Sequence, residues 1–537
     1  MKTNELMKRR NFVKATALGG TAILLASCTP PASATPVVGA PTAVPAPTAV
    51  PAPTAVPAPT AVLAPTASPV LSTLRISSNG DIDTLDPHVS QLITYGNQIR
   101  NTVMNSLVKY APDLSYVGDL AESWENPDDK TYIFRLRDGL TYHSGQSVEA
   151  SHVEFSYKRL ADGKNVWAGR LKNVAGYQVI DKKTIQINLK ETQADFLDGC
   201  ISLSIISPEI VATIDTKLSG TGPFKLVSWK TNDTIALEAN QQFHFPKVPK
   251  VDTLDFKIIP EDQIAVTNLQ SGDVDAVLTV PMTIAAPLKG AKDVVPVIVP
   301  TSSFPLFEMI GKNNKFIRNS AKVRQALALC LDKDAVKATV YNGEGNQKWS
   351  FVPTSHWAYK DIKTYAYDPA GAKALLAAEK INNLEFTVLC IQGYPDGEKT
   401  AVIWQAGLAE AGITMKIEVQ ELSVWLDNYI NHTYDVIWNV FPGFADPNYF
   451  VSLGLDPHFK DGWGNKDAAK LAVEANQTLD QAKRKELYAQ LQDMTVADLP
   501  VLVIQETPMA SLTAPNISGW QINPLGFIFV NEVTISI

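Results

Sequence analysis

The alternation of apolar and polar side chains predicts short strands and helices in succession along the chain from Arg75 onward, with no internal repeat. In Lys130-Thr-Tyr-Ile-Phe-Arg-Leu-Arg137, Ile133, Phe134 and Leu136 mark a β segment that stops at Asp138-Gly139, a turn pair expected to close a hairpin. Thr184-Ile-Gln-Ile-Asn-Leu189 alternates at period two, the signature of a half-buried strand. Between Ser320 and Val336 the period changes. Val323, Ala326, Leu327, Cys330 and Leu331 fall on one helical face, with Asn319 or Ser320 available as cap. Leu487, Leu491 and Met494 form a second such stripe, which must end before Pro500, and Val501-Leu-Val-Ile504 reads as a strand. These stripes argue for a mixed α/β fold and for core packing rather than for chemistry.

The N-terminal part follows other rules. A basic segment with Lys8, Arg9 and Arg10 precedes an apolar run from Ala15 to Ala26, about half the roughly 20 residues that a spanning helix needs. It therefore predicts a cleaved export signal rather than an anchor helix. Leu25-Ala26-Ser27-Cys28 resembles a lipobox, with Cys28 as the lipid attachment site, and Arg9-Arg10-Asn11-Phe12-Val13-Lys14 resembles a twin-arginine signal in which Lys8 replaces the usual Ser or Thr. No charge occurs between Lys14 and Arg75, and Ala40 to Pro65 repeats Ala-Pro-Thr-Ala-Val-Pro. Proline fixes φ and has no amide hydrogen, so this stretch predicts an extended polyproline tether. At roughly 3.1 Å per residue its reach is on the order of 100 Å.

Length and charge narrow the function classes. At 537 residues with 45% hydrophobic content, the chain exceeds what one core supports, so two or more lobes are expected. The formal charge is −8; without the first 27 residues, which hold five Lys/Arg and one Glu, 42 basic residues face 54 acidic ones, a balance of −12. A nucleic-acid partner needs the opposite sign. Besides Cys28 there are Cys200, Cys330 and Cys390, so at most one disulfide forms among them; Cys330 suits either a pairing with Cys390 or a plain buried helix position. No Gly-x-Ser-x-Gly elbow or His-Glu-x-x-His helix supports a secreted hydrolase, and the seven histidines show no metal-ligand spacing. No catalytic residue, metal or cofactor is expected.

A series of stretches then resembles, in order, the extracellular solute-binding family that includes dipeptide-, oligopeptide- and nickel-binding proteins of ABC importers. They are Leu85-Asp86-Pro87-His88, Asp119-Leu-Ala-Glu-Ser-Trp-Glu125, Tyr132 to Gly139, His143-Ser-Gly145, Val148-Glu-Ala150, Val153-Glu-Phe-Ser156, and Gly220-Thr-Gly-Pro-Phe-Lys-Leu-Val-Ser-Trp229. Leu237-Glu-Ala-Asn240, Ser271-Gly-Asp-Val-Asp275, Val323-Arg-Gln-Ala-Leu327 and Tyr367-Asp-Pro369 with Lys373-Ala-Leu-Leu376 continue the series. The resemblance implies a two-lobed periplasmic-binding-protein-like α/β fold of type II, cluster C. It divides the chain into a signal and lipobox (1–28), a tether (29–73), lobe one (74–115 and 216–305), its inserted subdomain (116–215), lobe two (306–505) and a C-terminal return to lobe one (506–537). Gly220 and Gly222 with Pro223 suit a tight crossover turn between parts.

Taken with the N-terminal signal and the lipobox at Cys28, the resemblance implies a monomer that is exported and lipid-anchored at the outer face of the cytoplasmic membrane or in the periplasm. It would close on a small-molecule or peptide ligand and deliver it to ABC permease subunits. Peptide-binding members hold the ligand amine with an Asp just upstream of an Asp/Glu-Pro pair. Here Trp438-Asn-Val-Phe-Pro-Gly-Phe-Ala-Asp-Pro-Asn-Tyr449 supplies Asp446-Pro447 but no separate carboxylate before it. Candidate ligand contacts are Asp81, Asp83 and Tyr95 from lobe one, and Trp349, Trp425, Trp438, Phe444 and Asp446 from lobe two. If Asp446 does not face the cleft, an oligosaccharide or other neutral solute becomes easier to accept, a nickel chelate less so. A purely structural surface protein is the remaining alternative.

Overall fold

The computed structural model describes residues 72–90, 101–163, 168–214, 216–362, 365–455 and 463–536. Cys28, the export signal, the tether and Tyr95 lie outside the described residues.

Three sheets organise the fold. The first has seven strands, in the order Val295–Pro300, Pro508–Thr513, Ala276–Val280, Thr73–Ser78, Thr253–Ile258, Thr234–Ala239 and Phe224–Lys230. Thr73–Ser78 lies at its centre, parallel to both neighbours, and buries Leu74 and Ile76 completely. The helix Asp262–Ser271 makes the crossover from Thr253–Ile258 to Ala276–Val280, and Gly272, at φ +82°, ends it in the left-handed conformation that glycine adopts without steric cost. The second sheet, antiparallel, runs Ala121–Asp128, Thr131–Leu136, Thr184–Leu189, Val174–Val179, against which the helix Ala150–Asp162 packs. The third runs Thr414–Gln420, Glu385–Ile391, Val436–Phe441, Phe304–Glu308, Val501–Val503. It forms the second lobe, covered by helices that include Ala321–Leu329 and Pro395–Glu410.

The expected strands are present: Thr131–Leu136 and Thr184–Leu189 pair with each other, with Phe134 and Ile185 fully buried. The hairpin, however, is not closed by Asp138-Gly139. Thr131–Leu136 folds back on the preceding strand through Asp129-Lys130, because Asp128 pairs with Thr131, while Gly139 (φ +70°) turns the chain after the strand. The single helix expected over Ser320 to Val336 is two. Ser320 caps Ala321–Leu329, its oxygen accepting from the Val323 amide, and Asp332 then caps a new helix, Lys333–Val340, accepting from the Ala335 amide. Val323, Ala326, Leu327, Cys330 and Leu331 are nonetheless all buried, since the break falls after the stripe has turned into the core. The stripe Leu487, Leu491, Met494 lies on Gln481–Asp498, which ends at Leu499 (φ +48°) just before Pro500. Cys200, Cys330 and Cys390 are free and buried, and burial pushes each thiol up to about 12.

Two neighbouring segments carry the chain between the seven-stranded sheet and the second lobe. Thr301–Ser303 leads into Phe304–Glu308, and Ile504–Thr507 leads out of Val501–Val503. They bond to one another: the Thr301 hydroxyl donates to the Thr507 carbonyl (2.6 Å), the Thr507 amide to the Ser303 carbonyl (2.9 Å), and the Ile504 amide to the Pro305 carbonyl (3.0 Å).

Gly220 and Gly222 serve close backbone approach. A Cβ at Gly220 would stand 1.8 Å from the Val103 carbonyl oxygen, and one at Gly222 would stand 2.6 Å from that of Thr102. His143 staples the same turn, accepting from the Gly220 amide (3.2 Å) at Nδ1 and donating from Nε2 to the Gly222 carbonyl (3.0 Å). Burial lowers its pKa to about 4, which keeps the ring neutral and this tautomer in place. Gly220→Ala should therefore destabilise the protein by about 1–3 kcal/mol or more in chemical denaturation. Gly169→Ala, whose added Cβ meets nothing within 4 Å, should be nearly neutral, and equal effects would remove the close-approach argument.

Candidate functional site

Where the subdomain layer meets the second lobe, charged groups are buried together. The loop after Val436–Phe441 descends through Pro442, Gly443, Phe444 and Ala445 to Asp446, fixed at its top by the crossover. The Phe444 amide donates to the Ser302 hydroxyl (3.1 Å), and the Ser303 hydroxyl donates to the Phe441 carbonyl (2.9 Å). Gly443 is forced here, because a Cβ would lie 2.4 Å from the Ser302 oxygen. Phe444 is buried edge-on to Phe304 and to His356, whose Nε2 donates to the Ala445 carbonyl (2.8 Å).

Asp446 itself is 3% exposed and held from both sides. Arg484 of the helix Gln481–Asp498 donates to both of its oxygens (2.8 and 2.9 Å), and the Asn448 amide donates to Oδ1 (2.9 Å). Arg484 also donates to the Ala475 carbonyl and the Tyr488 hydroxyl. Burial works against its charge, but Asp446 outweighs that and raises it above the ordinary guanidinium range. An amino terminus reaching this point would meet a carboxylate already paired in bidentate fashion.

The partner surface comes from the helix Phe196–Ile201 and its flank. Asp195 accepts from Asn448 Nδ2 across the seam (2.8 Å) and from Gln193 Nε2 (2.9 Å), and the Ala194 amide donates to the Asn476 carbonyl (2.8 Å). Asp198, one helical turn on, accepts from the Tyr110 hydroxyl and from Arg170 Nη1 (3.2 Å). The Arg170 guanidinium lies 4.7 Å over the Tyr449 ring, a second contact across the seam. Burial pushes Asp198 up to about 6, Arg170 and Tyr110 notwithstanding, and burial with the nearby Asp446 charge raises Asp195 as well.

The other expected residues are distributed differently. Asp81 accepts from the Trp229 indole (3.1 and 3.2 Å) and from the Asn232 amide (2.8 Å), which ties it to the Phe224–Lys230/Thr234–Ala239 hairpin, and Asp83 accepts from the Ser90 hydroxyl (2.7 Å). Trp349 packs inside the second lobe, with Lys333 Nζ 3.3 Å over its ring. Trp425 stacks on Tyr429 (5.1 Å), and Trp438 lies against Tyr394 and over Gly397, where a Cβ would come within 2.7 Å of the ring. Both indole N–H groups, Trp425 Nε1 and Trp438 Nε1, are buried without a hydrogen-bond partner. Arg484, Asp195, Asn448 and Arg170 were not singled out from sequence. The Arg484-x-x-x-Tyr488 spacing was visible, but nothing in the chain pointed it at Asp446. Solvent-facing grooves run along Ala469, Lys470 and Val473 (about 610 Å³) and beside His88 and Arg159 (about 500 Å³).

Comparison with known proteins identifies the family and the fold. Residues 115–460 match the family described as bacterial extracellular solute-binding proteins, family 5 Middle. The chain belongs to this family. Its members are substrate-binding proteins, not enzymes. The chain is 27% identical to the dipeptide-binding protein of Escherichia coli (strain K12) over 525 residues, covering 87% of this chain and 96% of that one. Among solved structures, it resembles the oligopeptide-binding protein AppA from Bacillus subtilis in complex with a nonapeptide (TM-score 0.73, 22% identity, 87% of this chain and 99% of that one). It also resembles NikZ from Campylobacter jejuni in complex with Ni(L-His) (TM-score 0.71, 22% identity, 84% and 96%). The two-lobed fold is common to all of them. Among the described residues no helix is long and apolar enough to cross a membrane.

Removing Arg484 tests the pairing. Arg484→Met should cost about 3–5 kcal/mol in chemical denaturation, because Asp446 is left buried and uncompensated. Adding Asp446→Asn should recover part of that loss. Wild-type stability in the single variant would contradict the ion pair.

Proposed function

We propose that this protein is the substrate-binding component of a peptide-type ABC importer, which captures a peptide or oligopeptide between its lobes and presents it to the permease. The observation that carries the reading is the placement of the 442–446 loop. It is bonded to the crossover at Ser302 and Ser303 and runs directly into the seam between the lobes. A solute held there would bear on both lobes, and a ligand that favours the closed form shifts the population toward it. On this reading the segments 74–115, 216–305 and 506–537 move with the subdomain 116–215, and 306–505 moves against them. Cys28 carries the lipid anchor, and the polyproline stretch holds the body away from the membrane.

The ligand-facing part of the second lobe is supported by a concentration of exposed apolar groups. Tyr394, Leu422 and Val424 are 50%, 52% and 50% exposed at the starts of Pro395–Glu410 and Leu422–Asn431, beside Trp425 and Trp438, whose buried indole donors have no partner. Apolar surface with a few fixed donors suits the side chains and carbonyl oxygens of a peptide. One observation favours a second reading: with both oxygens of Asp446 taken by Arg484, no spare carboxylate from this loop meets a free amine, and a neutral solute or N-blocked peptide then binds equally well.

A melting screen separates these. Di- to nonapeptides, their N-acetylated forms, oligosaccharides and nickel-histidine are added to the purified protein, with mass spectrometry of whatever co-purifies. A peptide at about 100 times its Kd should stabilise the protein by about 2.7 kcal/mol. Tighter binding of free-amine peptides supports the first reading, and indifference to acetylation supports the second. Cleavage of the added peptide, or no shift with any of the probes, would contradict the proposal.

A further inference from the structure

The seam between the subdomain layer and the second lobe holds three carboxylates, Asp195, Asp198 and Asp446, against two guanidinium groups, Arg170 and Arg484. Both cations are committed. Arg484 is bidentate on Asp446, and Arg170 is shared between Asp198 and the Tyr449 ring. Asp195 is left with two neutral amides, Gln193 from its own layer and Asn448 from the other lobe. Among the described residues its other neighbours offer no positive charge that is free. From the strands Val108–Tyr110 and Tyr116–Gly118 come Tyr110, bonded to Asp198, and Tyr116, whose hydroxyl burial keeps protonated; Tyr132 stands behind it. From the second lobe come Tyr488, bonded to Arg484, and His356, bonded to the Ala445 carbonyl, with a pKa that burial lowers against the pull of that bond and of Asp446.

A carboxylate with amide donors alone is tolerable in water and costly when enclosed. Two of the groups that enclose Asp195, Asn448 and Asp446, belong to the opposite lobe, so separation of the lobes returns it to solvent. We propose that closing the lobes moves a proton from solvent onto Asp195, so that capture is coupled to proton uptake and the closed form gains on the open one as the medium becomes mildly acidic. The proton would sit on one Asp195 oxygen, cancelling the excess charge of the seam, while the other oxygen keeps an amide bond. The direction follows from linkage: the form that binds the proton more tightly is favoured as pH falls. In the open form the carboxyl titrates near the ordinary value of about 3.9. Burial and Asp446 raise it in the closed form, so the advantage is full below that ordinary value and is lost as pH rises through the raised one. This rests on the lobes opening and closing, and not on the identity of the solute.

The test needs no ligand. Fluorophores placed through Asp128→Cys and Lys470→Cys, one on the subdomain layer and one on the second lobe, report the interlobe distance by energy transfer while pH is stepped from 8 to 4. The closed-to-open ratio should rise by up to about tenfold per pH unit in the window where one proton is taken up. Asp195→Asn should remove most of this dependence, whereas Asp198→Asn, whose carboxylate is bonded inside its own layer though also pushed up by burial, should weaken it without removing it. Infrared spectroscopy of the unaltered protein should show a protonated carboxyl band that grows with the closed population, a readout that survives if Asp195→Asn folds poorly. A flat wild-type profile, a response unchanged in Asp195→Asn or lost in Asp198→Asn, or absence of that band would each overturn the proposal.

Discussion

The constraint on which the rest depends is that the seven-stranded sheet and the second lobe are joined through two short, mutually bonded segments, Thr301–Ser303 and Ile504–Thr507. Gln505 and Glu506 pair with Gln347 and Asn346 of the second lobe, so a change of φ and ψ confined to the few remaining residues of the two segments would turn one lobe against the other while the flanking sheets keep their register. The 442–446 loop is bonded to this joint at Ser302 and Ser303. Position in the joint and position in the seam are therefore linked through a few residues of one loop.

Electrostatics then decides what the seam can hold. Asp446 and Arg484 neutralise each other inside one lobe, so their charges stay compensated whether or not the lobes are in contact. Among the described residues Asp195 has no such cation, and it accepts a hydrogen bond from the Asn448 side-chain amide of the other lobe instead. A seam built from one satisfied pair and one under-compensated carboxylate can separate without stranding a buried ion pair, and it is also sensitive to what else, proton or solute, enters it.

Much of the fold was legible in the sequence because periodicity reports burial directly. The strands at 131–136 and 184–189 and the buried stripe at Val323 to Leu331 follow from spacing alone. What spacing could not show was which neighbour a strand pairs with, hence the hairpin closed at Asp129-Lys130 rather than at Asp138-Gly139. Nor could it show that Asp332, a good cap, would restart the helix. The candidate site was less legible. Asp446 was visible as half of an Asp-Pro pair, but its partner Arg484 lies 38 residues away and Asp195 lies 253 residues from Asn448, contacts that only the tertiary fold creates. Of the tryptophans, Trp349 lies under Lys333 Nζ in the lobe interior, while Trp425 and Trp438 have buried indole donors without a partner, a distinction that depends on neighbours and not on residue type.

The most direct measurement of the central claim is small-angle X-ray scattering of protein stripped of bound solute by unfolding and refolding, compared with the same sample saturated with a solute that raises its melting temperature. Rotation about the paired segments predicts a larger radius of gyration in the stripped protein and a smaller one on saturation, with both curves fitted by the same two rigid lobes. Superimposable curves would show that the halves do not move, and would contradict the account.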